Sequence, residues 1–520
     1  MLFDRLEAIL NIRSSEWRET GFFWFFTFLC WFSLSLGDSV SDALFVKRVG
    51  VEHLPIMFVL CSLMAIPVSI LLTLLQGRVE KRQLTSYAGF VSALAILGAV
   101  NFIGSGSETS IKGCYVLYFI TNLLLFVMPV ILSVLMGTQF NSLKAKRLVP
   151  VIFTGVIAGR IAAGSTLSYL AEKYPLNAIL WFWLIVHLLA FVFFFFGSRS
   201  FVKPPIQAFF SSHKDRRGGR MLEKLRGFWR NLTESRLVFY LVVSAICANF
   251  AYYFAEFQGA SIFNQHFASE NELAKFYGIF TIFSSILAFL FQGIITGNLI
   301  QRLGISATNV IYPCLVFAGF AATAVSFSLL PGVLLKFIQV GLLNAMFQPV
   351  NNLFYNALPP KEKARMITVS EGILQPVGTA FTGILLYYGS KNLAMVSVLP
   401  VLAAMFWIAT TMMMKKPYRE SLLRLLRSSS LDFYGKRDLQ KLNLDRNTLT
   451  ALLNYLDTSD EETSALIVQI IINNGDRYSR EKLVNKIFAL SIEKKAEILR
   501  QIELPVEHFT AEHALSRLRK

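Results

Sequence analysis

Long apolar runs recur between charged breaks along residues 20–414 of this chain, and nothing else in the sequence restricts its fold as strongly. Twelve can be marked, near 20–46, 54–76, 85–104, 113–138, 149–170, 176–198, 236–257, 273–300, 305–330, 333–357, 364–389 and 392–414. A helix needs about 20 apolar residues to cross the hydrocarbon core of a bilayer. Runs of this length are too long for barrel strands of about ten alternating residues, so helices are the expected spanning state.

The composition agrees. Of 520 residues, 54% are hydrophobic and only 16% charged, with a mean hydropathy of +0.52. A soluble domain carries roughly 25% charged residues. These values exclude a disordered chain, a collagen and an ordinary cytosolic enzyme. The 47 phenylalanines fall partly in runs such as Phe22-Phe23 and Phe193-Phe194-Phe195-Phe196, which a bilayer accommodates.

The formal net charge is +17. Most of the excess lies in short loops on one side of the runs, among them Arg78/Lys81/Arg82, Lys144/Lys146/Arg147 and Lys361/Lys363/Arg365. That is the positive-inside pattern, so both termini are expected in the cytoplasm of a bacterial inner membrane, and no nucleic-acid partner is expected. The start of the chain carries charges and an amphipathic pattern, with no signal-peptide cleavage site. The five cysteines (Cys30, Cys61, Cys114, Cys247, Cys314) sit inside apolar runs with no metal-binding spacing. No cofactor, metal or catalytic arrangement is expected, and the chain reads as a non-enzyme. His187, within the sixth run, reads as a packing or hydrogen-bonding residue.

The basic loop 199–235 splits the runs six and six. Phe140-Asn141-Ser142-Leu143, with Lys144 and Lys146 behind it, resembles Phe354-Tyr355-Asn356-Ala357, with Lys363 and Arg365 behind it, each after the fourth run of its half. A duplicated six-helix unit follows. The expected organisation is an amphipathic N-terminus at 1–18, one bundle at 19–198, a linker at 199–235, a second bundle at 236–414 and a cytoplasmic helical tail of the HEAT-repeat sort at 415–520. The fold class is an all-α membrane protein with twelve transmembrane helices in two pseudo-symmetric bundles plus a small C-terminal domain.

Polar groups inside spans are costly and mark function or helix contacts. Ser35, Asp38, Ser39 and Asp42 share one helical face of the first run. Asn249, Tyr252, Tyr253 and Glu256 repeat that spacing in the seventh, as two walls of one cavity would. The competing reading places Asp42 and Glu256 in hydrated positions at the outer interface. Arg160 lies eleven residues into the fifth run, roughly 16 Å deep at 1.5 Å per residue. A guanidinium there needs water, a carboxylate or an anionic ligand; Asp38 and Glu371 are the candidate partners. Further candidates are Gln375 beside Glu371, Lys336 and Gln348 on the tenth run, and Tyr118 and Asn122 on the fourth. Uncharged stripes of this kind also serve as interhelical glue. Gly155, Gly159 and Gly164 read as close-packing positions.

Several segments resemble the bacterial relatives of the ATP/ADP translocases. They are Asp42-Ala43-Leu44-Phe45-Val46-Lys47-Arg48-Val49-Gly50 with Leu54-Pro55, Ala145-Lys146-Arg147-Leu148-Val149-Pro150 with Gly155 and Gly159, and Phe254-Ala255-Glu256-Phe257-Gln258. Phe276-Tyr277-Gly278 and Glu371-Gly372 with Gln375-Pro376 extend the likeness over roughly 15–415. The resemblance implies a major-facilitator-like secondary transporter of a polar or anionic solute, working by alternating access. A helical-repeat tail, with a possible protein partner, is also in keeping with it. One departure matters: the family's nucleotide exchangers carry an Arg-Asp and Lys-Asp cluster on the first span, where this chain reads Gly37-Asp38-Ser39-Val40-Ser41-Asp42. The missing bases argue against adenylate exchange. The alternative from another class is a non-transporting membrane scaffold or sensor that acts through the tail.

Overall fold

The computed structural model describes residues 16–76, 79–104, 107–140, 142–202, 235–359, 374–390 and 392–427, with Ile12 and scattered positions in 362–370 and 453–487. Glu371, the linker and nearly all of the expected C-terminal domain lie outside the described residues.

Among these residues the secondary structure is helical throughout, and eleven helices are long and apolar enough to cross a membrane. The first half comprises α1 (Trp17–Leu44, continued by a π-helical turn over Phe45–Val49), α2 (Leu54–Gln76), α3 (Lys81–Gly104), α4 (Ser107–Gln139), α5 (Ser142–Lys173) and α6 (Leu176–Phe201). The second comprises α7 (Arg236–His266), α8 (Glu270–Leu303), α9 (Ile305–Val325), α10 (Leu329–Ala357), α11 (Gln375–Gly389) and α12 (Leu393–Met413), followed by the amphipathic α13 (Lys415–Arg427). Of α11 only 15 residues are described, and it is not among the eleven.

Glycines end two of the helices. Gly50 (φ 106°) closes α1 and Gly304 (φ 80°) closes α8, in conformations a side chain would strain. Five helices carry an interior proline (Pro67, Pro129, Pro150, Pro313, Pro400), and at Pro400 the carbonyl it frees, that of Val396, accepts from Gln258.

The phenylalanine runs divide between two solvents. Phe23, Phe26, Phe191 and Phe194 are buried where α1 meets α6, with Phe26 and Phe194 rings 4.4 Å apart. Phe25 and Phe196 face outward, as lipid contacts do. Each bundle also holds a buried polar tie. His187 Nδ1 is 2.9 Å from Ser33 Oγ and its Nε2 is 2.7 Å from Ser92 Oγ, joining α6 to α1 and α3. Gln258 Nε2 donates to the Val396 carbonyl (2.7 Å) and its Oε1 accepts from Thr323 (2.9 Å), joining α7 to α12 and α9. Buried bonds of this kind join neighbouring helices.

The bundles meet along two equivalent seams, α5 against α8 and α11 against α2. Small residues permit the approach. A Cβ on Gly164 would strike the carbonyl of Gly278, one on Gly278 would lie 2.7 Å from the carbonyl of Gly164, and one on Gly383 would lie 2.8 Å from the carbonyl of Pro55. Gly155 and Gly159 act within the first bundle, against the backbone of α1 at Trp24 and Phe28.

Candidate functional site

The face carrying the N terminus is called proximal below, and the opposite face distal. The seams converge on a group of charged side chains at the middle and in the distal half of the spans. Asp38 and Asp42 come from α1, Arg160 from α5, Tyr252 and Glu256 from α7, and Lys336 from α10. Asp38 lies within the electrostatic reach of Glu256, Lys336 and Arg160. Asp42 feels Asp38, Glu256 and Lys336, and Arg160 feels Asp38 and Tyr252. Both bundles therefore contribute to one electrostatic cluster.

Part of the cluster is self-neutralised. Lys336 Nζ donates to Glu256 Oε1 at 2.5 Å and Oε2 at 2.6 Å. The two side chains are 10% and 16% exposed, so Glu256 is not the hydrated interface residue of the competing reading. Gln339 Nε2 donates to Glu256 Oε2 (2.7 Å) and to the Tyr252 carbonyl (2.9 Å). Gln339 reaches them from a π-helical turn over Ile338–Phe347, the kind of helix distortion often found at functional sites.

The rest is uncommitted. Arg160 Nε is buried without a hydrogen-bond partner, and among the described residues Arg160 forms no ion pair with Asp38; its other expected partner, Glu371, lies outside them. Asp38 and Asp42, half-buried on one face of α1, also make no hydrogen bond or ion pair there. The Oε1 atom of Gln339 is a further buried acceptor without a partner. Buried polar groups are normally paired, and a charge still more so.

The remaining candidates scatter. Tyr118 is buried, its ring 4.6 Å from Phe45, within the field of Asp42 and Glu256. Asn122 donates to the Tyr118 carbonyl of its own helix at 3.0 Å. Asn249 ties α7 to α11: its Nδ2 donates to the Gln375 carbonyl (3.2 Å) and its Oδ1 accepts from Thr379 (3.2 Å). The Gln375 side chain is exposed. Gln348 is exposed too, between Asn344 and Asn352 in an i, i+4, i+8 stripe running from the middle of α10 to its proximal end. Three stacked amides against hydrocarbon would be costly, so the stripe faces water.

Above the cluster the distal ends are locked together by residues that the sequence reading did not select. Arg48 clamps Glu270 with Nη2–Oε1 at 2.6 Å and Nε–Oε2 at 2.7 Å, and also donates to Ser110 Oγ and Asn177 Oδ1, both at 3.1 Å. Lys47 Nζ donates to the carbonyls of Asn264 (2.7 Å) and Phe267 (2.5 Å), at the negative end of the α7 dipole. Asn271 Nδ2 returns the contact, donating to the Ala171 and Tyr174 carbonyls at 2.8 Å each. Several hydrogen bonds between described residues of the two bundles lie at this end. The molecule is thus latched on the distal side, with a polar wall on α10 leading toward the proximal one.

The two-bundle arrangement is that of solved solute transporters. It resembles the nucleoside transporter NupG (12% identity, 77% of this chain and 99% of that one, TM-score 0.57) and a POT family transporter in complex with 5-aminolevulinic acid (12%, 78% and 96%, TM-score 0.56). A bacterial homologue of the iron transporter ferroportin, in an inward-facing state, is similar too (17%, 76% and 98%, TM-score 0.54). At these identities the likeness establishes the fold alone, and with the eleven apolar helices it supports a multi-pass integral membrane protein. The family resemblance is borne out independently, because residues 113–331 match the TLC ATP/ADP transporter family model. No match is found among curated protein sequences. Family and fold together support a secondary transporter, and the scaffold reading is not favoured.

Proposed function

We propose that this protein moves a polar or anionic solute across the bacterial inner membrane by alternating access, with both termini in the cytoplasm. The observation that carries this is the cluster built jointly by the two bundles, holding uncommitted charges of both signs beneath a latched distal end. A purely structural interior would pair Arg160 with Asp38 or omit both, since an unpaired buried charge only destabilises. In a transporter the same groups are left for the solute, near the midplane where the two repeats meet. With the N terminus cytoplasmic, the described arrangement is closed to the outside, and the amide stripe of α10 lines the inward path.

A nucleotide is the solute suggested by the name of the matching family. The scarcity of bases on the first span counts against that reading for this chain. The central test is uptake into proteoliposomes containing the full chain. Arg160→Ala is expected to reduce initial uptake at least about tenfold, as loss of a charge-assisted contact to the solute would. Undiminished uptake would remove Arg160 from the mechanism.

A further inference from the structure

We infer that the solute is a small zwitterion of amino-acid type, held by its cationic pole at Asp38 and Asp42 and by its carboxylate at Arg160. The inference rests on the transporter reading and narrows it. It starts from which charges in the cluster are already spent. Lys336 is neutralised by the carboxylate of Glu256, and Gln339 secures the same carboxylate, so this pair offers a solute no net charge. What remains is one guanidinium with a buried, unpartnered Nε and two carboxylates with no partner.

Their placement matches opposite poles within one small molecule. Asp38 and Asp42 are one helical turn apart on the same face of α1, so a single ammonium can sit between them. Arg160, on the facing α5, is close enough to act on Asp38 but forms no ion pair with it. A guanidinium and a carboxylate in one cluster that are not paired with each other are both open to a third group. A zwitterion bridges them with its poles reversed, carboxylate to Arg160 and ammonium to Asp38. Gln339 Oε1 adds a buried acceptor for a neutral donor on the same solute. The rings of Tyr118, Tyr252 and Tyr277 border the site and suit a compact organic body.

A polyphosphate fits poorly. It carries about three to four negative charges and would meet, among the described residues of the cluster, one uncommitted guanidinium and two uncommitted carboxylates, Lys336 being neutralised by Glu256. A purely cationic solute would leave Arg160 unpaired, and a purely anionic one would leave Asp38 and Asp42 unpaired.

The test is thermal unfolding of the purified full-length protein with three matched series: proteinogenic amino acids, their methyl esters (cationic pole only) and their N-acetyl derivatives (anionic pole only). ATP and ADP run alongside. A ligand that binds the folded state raises the midpoint. At least one amino acid is expected to stabilise the protein, with apparent affinity falling about tenfold or more in its ester and in its N-acetyl form. Arg160→Gln should make the ester bind as well as the parent. The double change Asp38→Asn and Asp42→Asn should do the same for the N-acetyl form. Such reversals cannot arise from a variant that merely folds badly. Stabilisation by nucleotides alone, by none of the three series, or by all three equally would overturn the inference. Counterflow separates the two readings. Exchange of nucleotides but not amino acids would leave a transporter with a different solute, whereas pole-selective binding without counterflow of the bound amino acid would leave the site and remove transport.

Discussion

The charge on Lys336 is carried inside the bilayer only because Glu256 and Gln339 receive it. Removing one member of a buried pair strands the other at a cost of about 3–5 kcal/mol, whereas removing both is close to neutral. Lys336→Met is therefore expected to lower the unfolding free energy by about 3 kcal/mol or more in detergent, and adding Glu256→Gln to recover most of that loss. Equal, additive losses in the two single variants would show that the pair is not coupled. Single residues were legible in the sequence where they contrast with their surroundings. Asp38, Asp42, Arg160 and Glu256 stand out because a charge within an apolar run is expensive. Gln339 does not, since an uncharged amide in a long helix gives no contrast and its reach depends on a π-helical turn that no spacing rule announces. Arg48, though part of the segment that carries the family resemblance, and Glu270 give no sign of pairing in the sequence, because charges beside loops are ordinary and only the folded chain sets these two against each other.

At the scale of helices, the seam between α5 and α8 depends on two glycines whose backbones nearly touch. Replacing Gly164 or Gly278 by Ala puts a methyl group into a carbonyl of the other bundle, a form of overpacking that costs about 1–3 kcal/mol. The strain falls on the state in which the seam is closed. The Ala variants should shift the equilibrium away from distal closure by a factor of about 5 or more, read as faster labelling of a distal cysteine by an impermeant thiol reagent. Gly98→Ala, where an added Cβ meets nothing within 4 Å, is the control and should label like the parent. Labelling unchanged by all three would mean that the seam does not move. The sequence marked Gly155, Gly159 and Gly164 as close-packing positions, but could not say against what. Small-residue spacing shows where a helix can be approached, not by which neighbour, and Gly164 faces the other bundle while the other two face α1. The positions of the spans were legible, but not all of their ends: α7 runs nine residues past the expected 257 and α5 begins seven before the expected 149, because polar residues continue a helix beyond its apolar run.

For the molecule as a whole, an all-helical membrane protein was readable from the recurrence of long apolar runs. The state of the molecule was not, since closure at one end depends on contacts between residues more than two hundred positions apart, such as Arg48 with Glu270. That latch is partly exposed, so screening weakens it. Glu270→Gln removes its charge without changing its size, and should release the distal end while leaving the fold intact. The direct measurement is a pair of spin-label distances in the full chain, one across the distal ends between Tyr174 and Val325, one across the proximal ends between Tyr87 and Leu303, all four being exposed sites. Glu270→Gln is predicted to lengthen the distal distance and shorten the proximal one together, in the same population of molecules. If both distances stay at their parental values, or both lengthen, the two bundles do not rock about a shared site, and the account of this protein as an alternating-access transporter is contradicted.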